Sequence, residues 1–450
     1  MGHLLALSAT LALGLAQPPA RADNLKAFEL CAEGSGDAAI AGCTQIIEDA
    51  GESDQNRAVA YFNRGLEYGR QDEADRAIAD YSEVINLDPD NDRALMNRGV
   101  QYSIQGERDK AIADYDAVIK LTPDYAPAYM NRGMAYSGNG DVESAMSDFN
   151  QVIELRPTYA PAFYKRGNER VGQGDRDGAV GDFSEAIRLQ PDYALAYYDR
   201  GDSYLKAGDF AKAIADFTKV LDVGPELASS AYYKRGVSYR RSGESDKAFA
   251  DFSKVIEITP DHSSALHNRG IVLGSQGDHA AAVEDFSKAI RLAPDHRGAY
   301  LARAIAYDQL DKFDEAIADI TRTIELKPDD AASYIKRGDV YFDRAAGEDH
   351  ERSIADYSKA IELDPSHAEA YFSRGYVYGF NVSDGDWMRS VADLTKAIEL
   401  KPDYAAAYYN RGAAYSAMKD KANAIADFRK ADELGYEDAK KALKKVGAEQ

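Results

Sequence analysis

An Arg-Gly pair recurs at Arg64-Gly65, Arg98-Gly99, Arg132-Gly133, Arg166-Gly167, Arg200-Gly201, Arg235-Gly236, Arg269-Gly270, Arg337-Gly338, Arg374-Gly375 and Arg411-Gly412, with Arg303-Ala304 as the one variant. Most steps are 34 residues long, one is 35 and the last two are 37. A fixed period of this length signals a solenoid and outranks any local motif, because each repeat is one supersecondary unit that contacts only its neighbours. Division of the 450 residues into ordinary globular domains therefore does not apply.

Each unit carries two helical patterns. In the first segment large apolar residues and the Gly fall at offsets of four and seven, as in Tyr61, Gly65 and Tyr68 or Tyr408, Gly412 and Tyr415. In the second, Ala77, Tyr81, Val84 and Ile85, or Ala213, Phe217, Val220 and Leu221, do the same. Pairs such as Gly140-Asp141 and Gly106-Glu107 stand between the two segments and are expected to end one helix and cap the next. A Pro such as Pro123 or Pro157 closes the second helix, and the Asp, Thr or Ser that usually follows suits the start of another. Gly inside a helix costs about 1 kcal/mol relative to Ala, so its column needs a reason. Ala304 cannot easily take positive φ, which leaves close packing as the reason, and the expected partner is the column of Ala77, Ala111 and Ala145.

The Arg column pairs with a second one, running from Asp80, Asp114 and Asp148 to Asp427. Sixteen residues from Arg64 to Asp80 place the two at similar heights on antiparallel helices. A charged ligand track is one reading. An internal ion-pair ladder is the favoured one, since a group present in every unit reports the scaffold.

These residues resemble the tetratricopeptide repeat pattern of an aromatic, then Gly, Tyr, Ala, an aromatic and Pro, over roughly 85% of the chain. The first aromatic is never Trp, and Arg stands where the family usually has Leu. The resemblance implies an all-α fold, a right-handed α-solenoid superhelix of tandem helix-turn-helix repeats whose first helices line a concave side. The expected organisation is a signal peptide over 1–22, a degenerate hairpin over 23–57, eleven units over 58–438 and the end of a capping helix with a tail over 439–450. The segment Tyr436 to Val446, with four lysines, reads as that polar cap.

Leu4 to Ala16 is an almost unbroken apolar run, followed by Ala20-Arg21-Ala22. This is the layout of a secretory signal peptide, too short to span a bilayer; a disordered N-terminus is the alternative. Export is expected, without membrane insertion after cleavage; the resemblance to exported bacterial repeat proteins implies the bacterial periplasm, with secretion as second choice. Cys31 and Cys43, the only cysteines, fall on the two helices of the degenerate hairpin. In an exported chain that pair is expected to form a disulfide; two buried free thiols are the alternative. Units nine and ten carry three extra residues each, around Ala345-Ala346-Gly347 and Asn381-Val382-Ser383. Trp387 stands after the second insertion as a packing residue or a ligand platform.

No Gly-rich phosphate loop, His-x-x-x-His pair or nucleophile elbow occurs, and neither the seven His nor the evenly spread carboxylates form a recognisable set. No catalytic group, metal or cofactor is therefore expected. With 54 Lys plus Arg against 76 Asp plus Glu, the net charge of -22 repels phosphate backbones and excludes nucleic acid as a partner class.

What remains is a protein or peptide partner. The residue after the first aromatic runs Phe62, Met96, Met130, Tyr164, Tyr198, Tyr233, His267, Leu301, Ile335, Phe372 and Tyr409. It varies in chemistry while staying largely apolar or aromatic. Either it fills gaps between successive first helices, or it lines a groove for an extended or helical segment. Asn131, like Asn63, Asn97, Asn268 and Asn410, stands next to it and is a candidate for bonding a peptide backbone. The family's carboxylate clamp is not intact, because its Lys places hold Phe, Met, Tyr or Leu. The expected function is a non-enzymatic interaction scaffold. The alternative is an accessory substrate-binding subunit of an envelope enzyme or assembly complex.

Overall fold

The computed structural model describes residues 22–346, 348–380 and 386–447. The expected signal peptide lies outside them except for Ala22, as do Gly347 and the second insertion at Asn381-Val382-Ser383. The described segments with helical periodicity are helices, and none of the described residues is in a strand. No described helix is long and apolar enough to cross a membrane.

The helices fall into two compact units, residues 1–228 and 229–450. The first holds six hairpins: α1 (Ala22–Glu33) with α2 (Gly36–Glu48), α3 (Asp54–Arg70) with α4 (Ala74–Leu87), α5 (Asp92–Ile104) with α6 (Arg108–Leu121), α7 (Ala126–Asn139) with α8 (Val142–Leu155), α9 (Ala160–Gly172) with α10 (Arg176–Leu189), and α11 (Ala194–Ala207) with α12 (Phe210–Val223). The second holds α13 (Ala228–Arg241) with α14 (Ser245–Ile258), α15 (Ser263–Ser275) with α16 (His279–Leu292), α17 (Arg297–Asp308) with α18 (Phe313–Leu326), α19 (Ala331–Arg344) with α20 (Asp349–Leu363), α21 (Ala368–Phe380) with α22 (Trp387–Leu400), α23 (Ala405–Ala417) with α24 (Lys421–Glu433), and a final short α25 (Ala439–Lys445).

The punctuation works unevenly. Gly140, Gly174, Gly208 and Gly277 take φ of 80° to 87°, which ends the first helix of the hairpin. The next residue is Asp, whose carboxylate accepts from a backbone N–H three residues on, as Asp141 does from Ser144 at 3.1 Å. Glu107 and Glu244, one methylene longer, occupy the same place and make no such bond. The residue after each Pro does not start a helix either. Except after Pro225, where Glu226 lies in a short 3-10 helix, it belongs to a turn, and the cap comes one residue later, as at Tyr125, Tyr159, His262 or His296. The two His rings accept the backbone N–H of Ala265 and Ala299 at 3.2 Å.

In hairpins such as α3 with α4, the second-helix Ala, aromatic and Val are buried against an Ala from the next first helix, as in the cluster of Ala77, Tyr81, Val84 and Ala94. The Gly column is right-handed and closely packed, but its partner is the second-helix aromatic ring, or Leu394 at Gly375, and not the Ala column. A Cβ on Gly65 would stand 2.9 Å from Tyr81, and one on Gly167 2.7 Å from Phe183. Ala304 is tolerated because unit eight has Ile320 where the ring belongs.

The ladder is present in all eleven units. Each Arg donates through Nε and Nη2 to both oxygens of its Asp, as Arg98 does to Asp114 at 2.9 and 2.7 Å. The third nitrogen reaches back to the preceding second helix, Arg98 Nη1 donating to Ser82 Oγ at 3.1 Å. Arg132 also lies against the rings of Tyr129 and Tyr136. One planar guanidinium thus ties two helices of its own unit to the one before.

Cys31 and Cys43 form a disulfide between α1 and α2, with Cα atoms 4.6 Å apart, inside a cluster with Ala27, Ile46 and Ala60. At the other end α25 packs on α24, Ala439 is buried, and Tyr436 stacks on Tyr409 at 4.5 Å. Trp387 opens α22 and stands 3.4 Å from where a Cβ on Gly379 would be.

Candidate partner-binding face

The varied column runs along the first helices, and the structure splits it in two. Phe62, Met96, Met130, Tyr164 and Ile335 are buried. Tyr198, Tyr233, His267, Leu301, Phe372 and Tyr409 keep part of their surface exposed. Most of the rings lean on the second-helix ring of their own unit, Tyr198 on Phe217 at 5.7 Å and His267 on Phe286 at 5.7 Å. Several also meet the ring that caps the next first helix, Tyr164 on Tyr193 at 5.0 Å, Tyr233 on His262 at 4.9 Å and Phe372 on Tyr404 at 4.7 Å. These stacks tile neighbouring units together.

The Asn positions are largely occupied. Asn97, Asn268 and Asn410 donate to the carbonyl four residues back in their own helices, and Asn63 donates to the Cys31 carbonyl. Asn131 is fully buried, and neither polar atom of its amide finds a hydrogen-bond partner within the described residues. Burial pushes the neutral form of His267 forward, with help from the neighbouring His296 and Arg240, so its pKa falls to about 4.

The face opens in the second unit, where a cavity of about 460 Å³ lies along α17, α19 and α21. Its origin is missing ring volume. Leu301 stands where Tyr198 and Tyr233 stand in other units, and Ile320 replaces the second-helix aromatic. Val340, Phe372 and Val377 complete apolar walls, and Ile305 beside them is 51% exposed.

Three carboxylates, Asp308, Asp339 and Asp343, line the same cavity with one cation, Lys336. Lys336 Nζ is 3.3 Å from Asp339 Oδ2, and Tyr357 donates its hydroxyl to Asp339 Oδ1 at 2.9 Å. Burial raises the pKa of all three Asp, and Asp308 is raised further by Asp343 and Asp339. One oxygen of Asp308 is buried without a hydrogen-bond partner. The evenly spread acidic residues hid this group from sequence reasoning. The only signal was weak, since Asp339 stands where Val237, Ile271 and Ile305 occupy the same column, but Asp202 stands there too.

Helical hairpins repeated at a fixed period and packed on their neighbours within each compact unit define an α-solenoid repeat protein. Family profiles described as Tetratricopeptide repeat match residues 164–222, 198–263, 267–331 and 301–349, and also 58–91, 126–159 and 405–434; one described as TPR repeat matches 101–140, 344–379 and 382–419. The chain belongs to the tetratricopeptide repeat family. Members of this family are in general non-enzymatic scaffolds, and the chain is in class a scaffold for protein–protein interaction.

A search of curated proteins finds no match. Among solved structures the chain is similar to YrrB, described as a TPR protein with an unusual peptide-binding site, at 25% identity over 41% of this chain and 95% of that one, with a TM-score of 0.38. It is also similar to yeast Tom70, at 18% identity over 88% and 96%, with a TM-score of 0.40. A tetratricopeptide repeat protein from Parabacteroides merdae matches at 22% identity over 64% and 98%, with a TM-score of 0.39.

Proposed function

We propose that the chain is an exported scaffold of a bacterial cell envelope, residing in the periplasm, that binds an extended or helical segment of another protein along its first-helix face. The observation that carries this reading is the cavity along α17, α19 and α21, with apolar walls and Ile305 exposed beside it. A side chain seated there removes apolar area from water at roughly 25 cal/mol per Å². The half-exposed Tyr233, His267 and Tyr409 supply further contact along the first helices of the same compact unit. The apolar run before Ala20-Arg21-Ala22 and the Cys31–Cys43 disulfide support export, since disulfides persist in oxidising compartments.

The test fills the cavity with a side chain the fold already accepts elsewhere. Leu301→Tyr restores the ring of Tyr198 and Tyr233, and crosslinking capture from an envelope fraction compares it with wild type. Loss of the partner set from the variant is expected. Identical sets from both proteins would remove this face as the binding surface.

A further inference from the structure

Resting on that groove reading, we propose that the cavity along α17, α19 and α21 receives a basic side chain, Lys or Arg, of the bound segment, its alkyl stem against the apolar walls and its cation between Asp308 and Asp343. The walls fit the stem, because Leu301, Ile320, Val340 and Phe372 offer only carbon. The acidic side fits the head. Three carboxylates face one lysine, and Lys336 is already engaged by Asp339, so the local balance is negative and Asp308 and Asp343 lack a cation of their own among the lining residues. Asp308 keeps a buried oxygen with no donor. Burial disfavours both charged carboxylates in the unliganded fold, neighbouring like charge disfavours Asp308 further, and the charge of an arriving cation offsets that cost. The three are not gathered into a metal-ligand set. An organic cation with an apolar stem matches both the walls and the charges, and a long basic side chain of a peptide supplies both parts. The volume is well above that of one water, about 30 Å³.

The experiment selects a random peptide phage library on the immobilised full chain at 0.15 M salt, in parallel on wild type, on Asp308→Asn/Asp343→Asn, on Leu301→Tyr, and on Glu257→Gln as a distant surface control. The best peptide is then synthesised and titrated. Wild type and the control should enrich peptides with Lys or Arg at a fixed place among apolar residues, and the double Asn variant should bind the synthetic peptide about tenfold or more weakly. The Asn side chains are near-isosteric, and an unchanged circular dichroism spectrum with a melt no lower than that of wild type certifies the fold. Peptides enriched without a basic residue, or bound equally by the double Asn variant, would overturn the cation site and leave the groove standing. No enrichment on wild type would remove the groove reading and the cation site together.

Discussion

Arg200 holds both carboxylate oxygens of Asp216 at 2.8 Å, while its third nitrogen reaches Ser184 on the preceding second helix at 2.9 Å. The Asp is buried, and a group so placed matters most when its partner is removed. Asp216→Ala leaves a half-buried guanidinium without its acceptor and should cost about 3 kcal/mol, seen as an early local transition in a thermal or urea melt. Lys206→Ala, which breaks a pair between an exposed Lys and the partly buried Asp202, should cost less than about 0.5 kcal/mol. Matching melts for the two variants would contradict the ladder's structural role.

Gly133 and Phe149 are coupled in the same way that Ala304 and Ile320 are. A Cβ on Gly133 would stand 2.9 Å from the Phe149 ring, so Gly133→Ala should destabilise by about 1 to 2 kcal/mol despite the gain in helix propensity. Phe149→Ile alone should also destabilise, by leaving a cavity. The double variant reproduces the pairing of unit eight and should be less destabilised than the sum, with a coupling of about 1 kcal/mol in a double-mutant cycle. Simple additivity would show that the pairing in unit eight has another cause.

His267 should make stability fall on acidification. Its folded pKa is about 4 against 6.5 in the unfolded chain, because burial, His296 and Arg240 all oppose its charge. Between pH 6.5 and about 4 the unfolded chain takes up a proton that the folded chain refuses, so stability drops across that window and levels below it. With the partial exposure of the ring, the loss is on the order of 1 kcal/mol. His267→Phe, which keeps a ring against Phe286, should remove that part of the slope in urea melts at pH 7 and pH 4.5.

The acidic cavity should carry a stability cost in the unliganded protein. Asp308 and Asp343 have raised pKa values, so the folded chain binds protons more readily than the unfolded one, and stability is lost as pH rises through the carboxylate range. Asp308→Asn/Asp343→Asn should therefore melt slightly higher than wild type at pH 7, by a fraction of 1 kcal/mol given solvent screening, and lose that advantage near pH 4. A lower melting point at pH 7 would mean that these carboxylates support the fold.

The repeat, the two helices per unit, the Arg–Asp pairing and the disulfide were legible in the residues, because each follows from spacing that recurs or from a pair with no other partner of its kind. The partner of the Gly column was not legible. Gly133 and the ring of Phe149 lie sixteen residues apart on different helices, and which of several small or large residues meets the Gly depends on how the two helices rotate against each other. Caps were read too generously for the same reason, since Asp141 and Glu107 share a place but only the shorter side chain reaches back to the backbone.

Periodicity alone determined the architecture, because a hairpin that cannot bury its apolar stripe by itself must stack on its neighbours, and eleven copies of the pattern leave no other fold class. Tertiary structure decided which members of the Phe62 to Tyr409 column are buried and which keep surface. It also brought Asp308, Asp339 and Asp343 to one cavity. That convergence comes from two successive helices separated in the chain by a third, and from ring volume missing at Leu301 and Ile320, a relation between units that no single repeat contains.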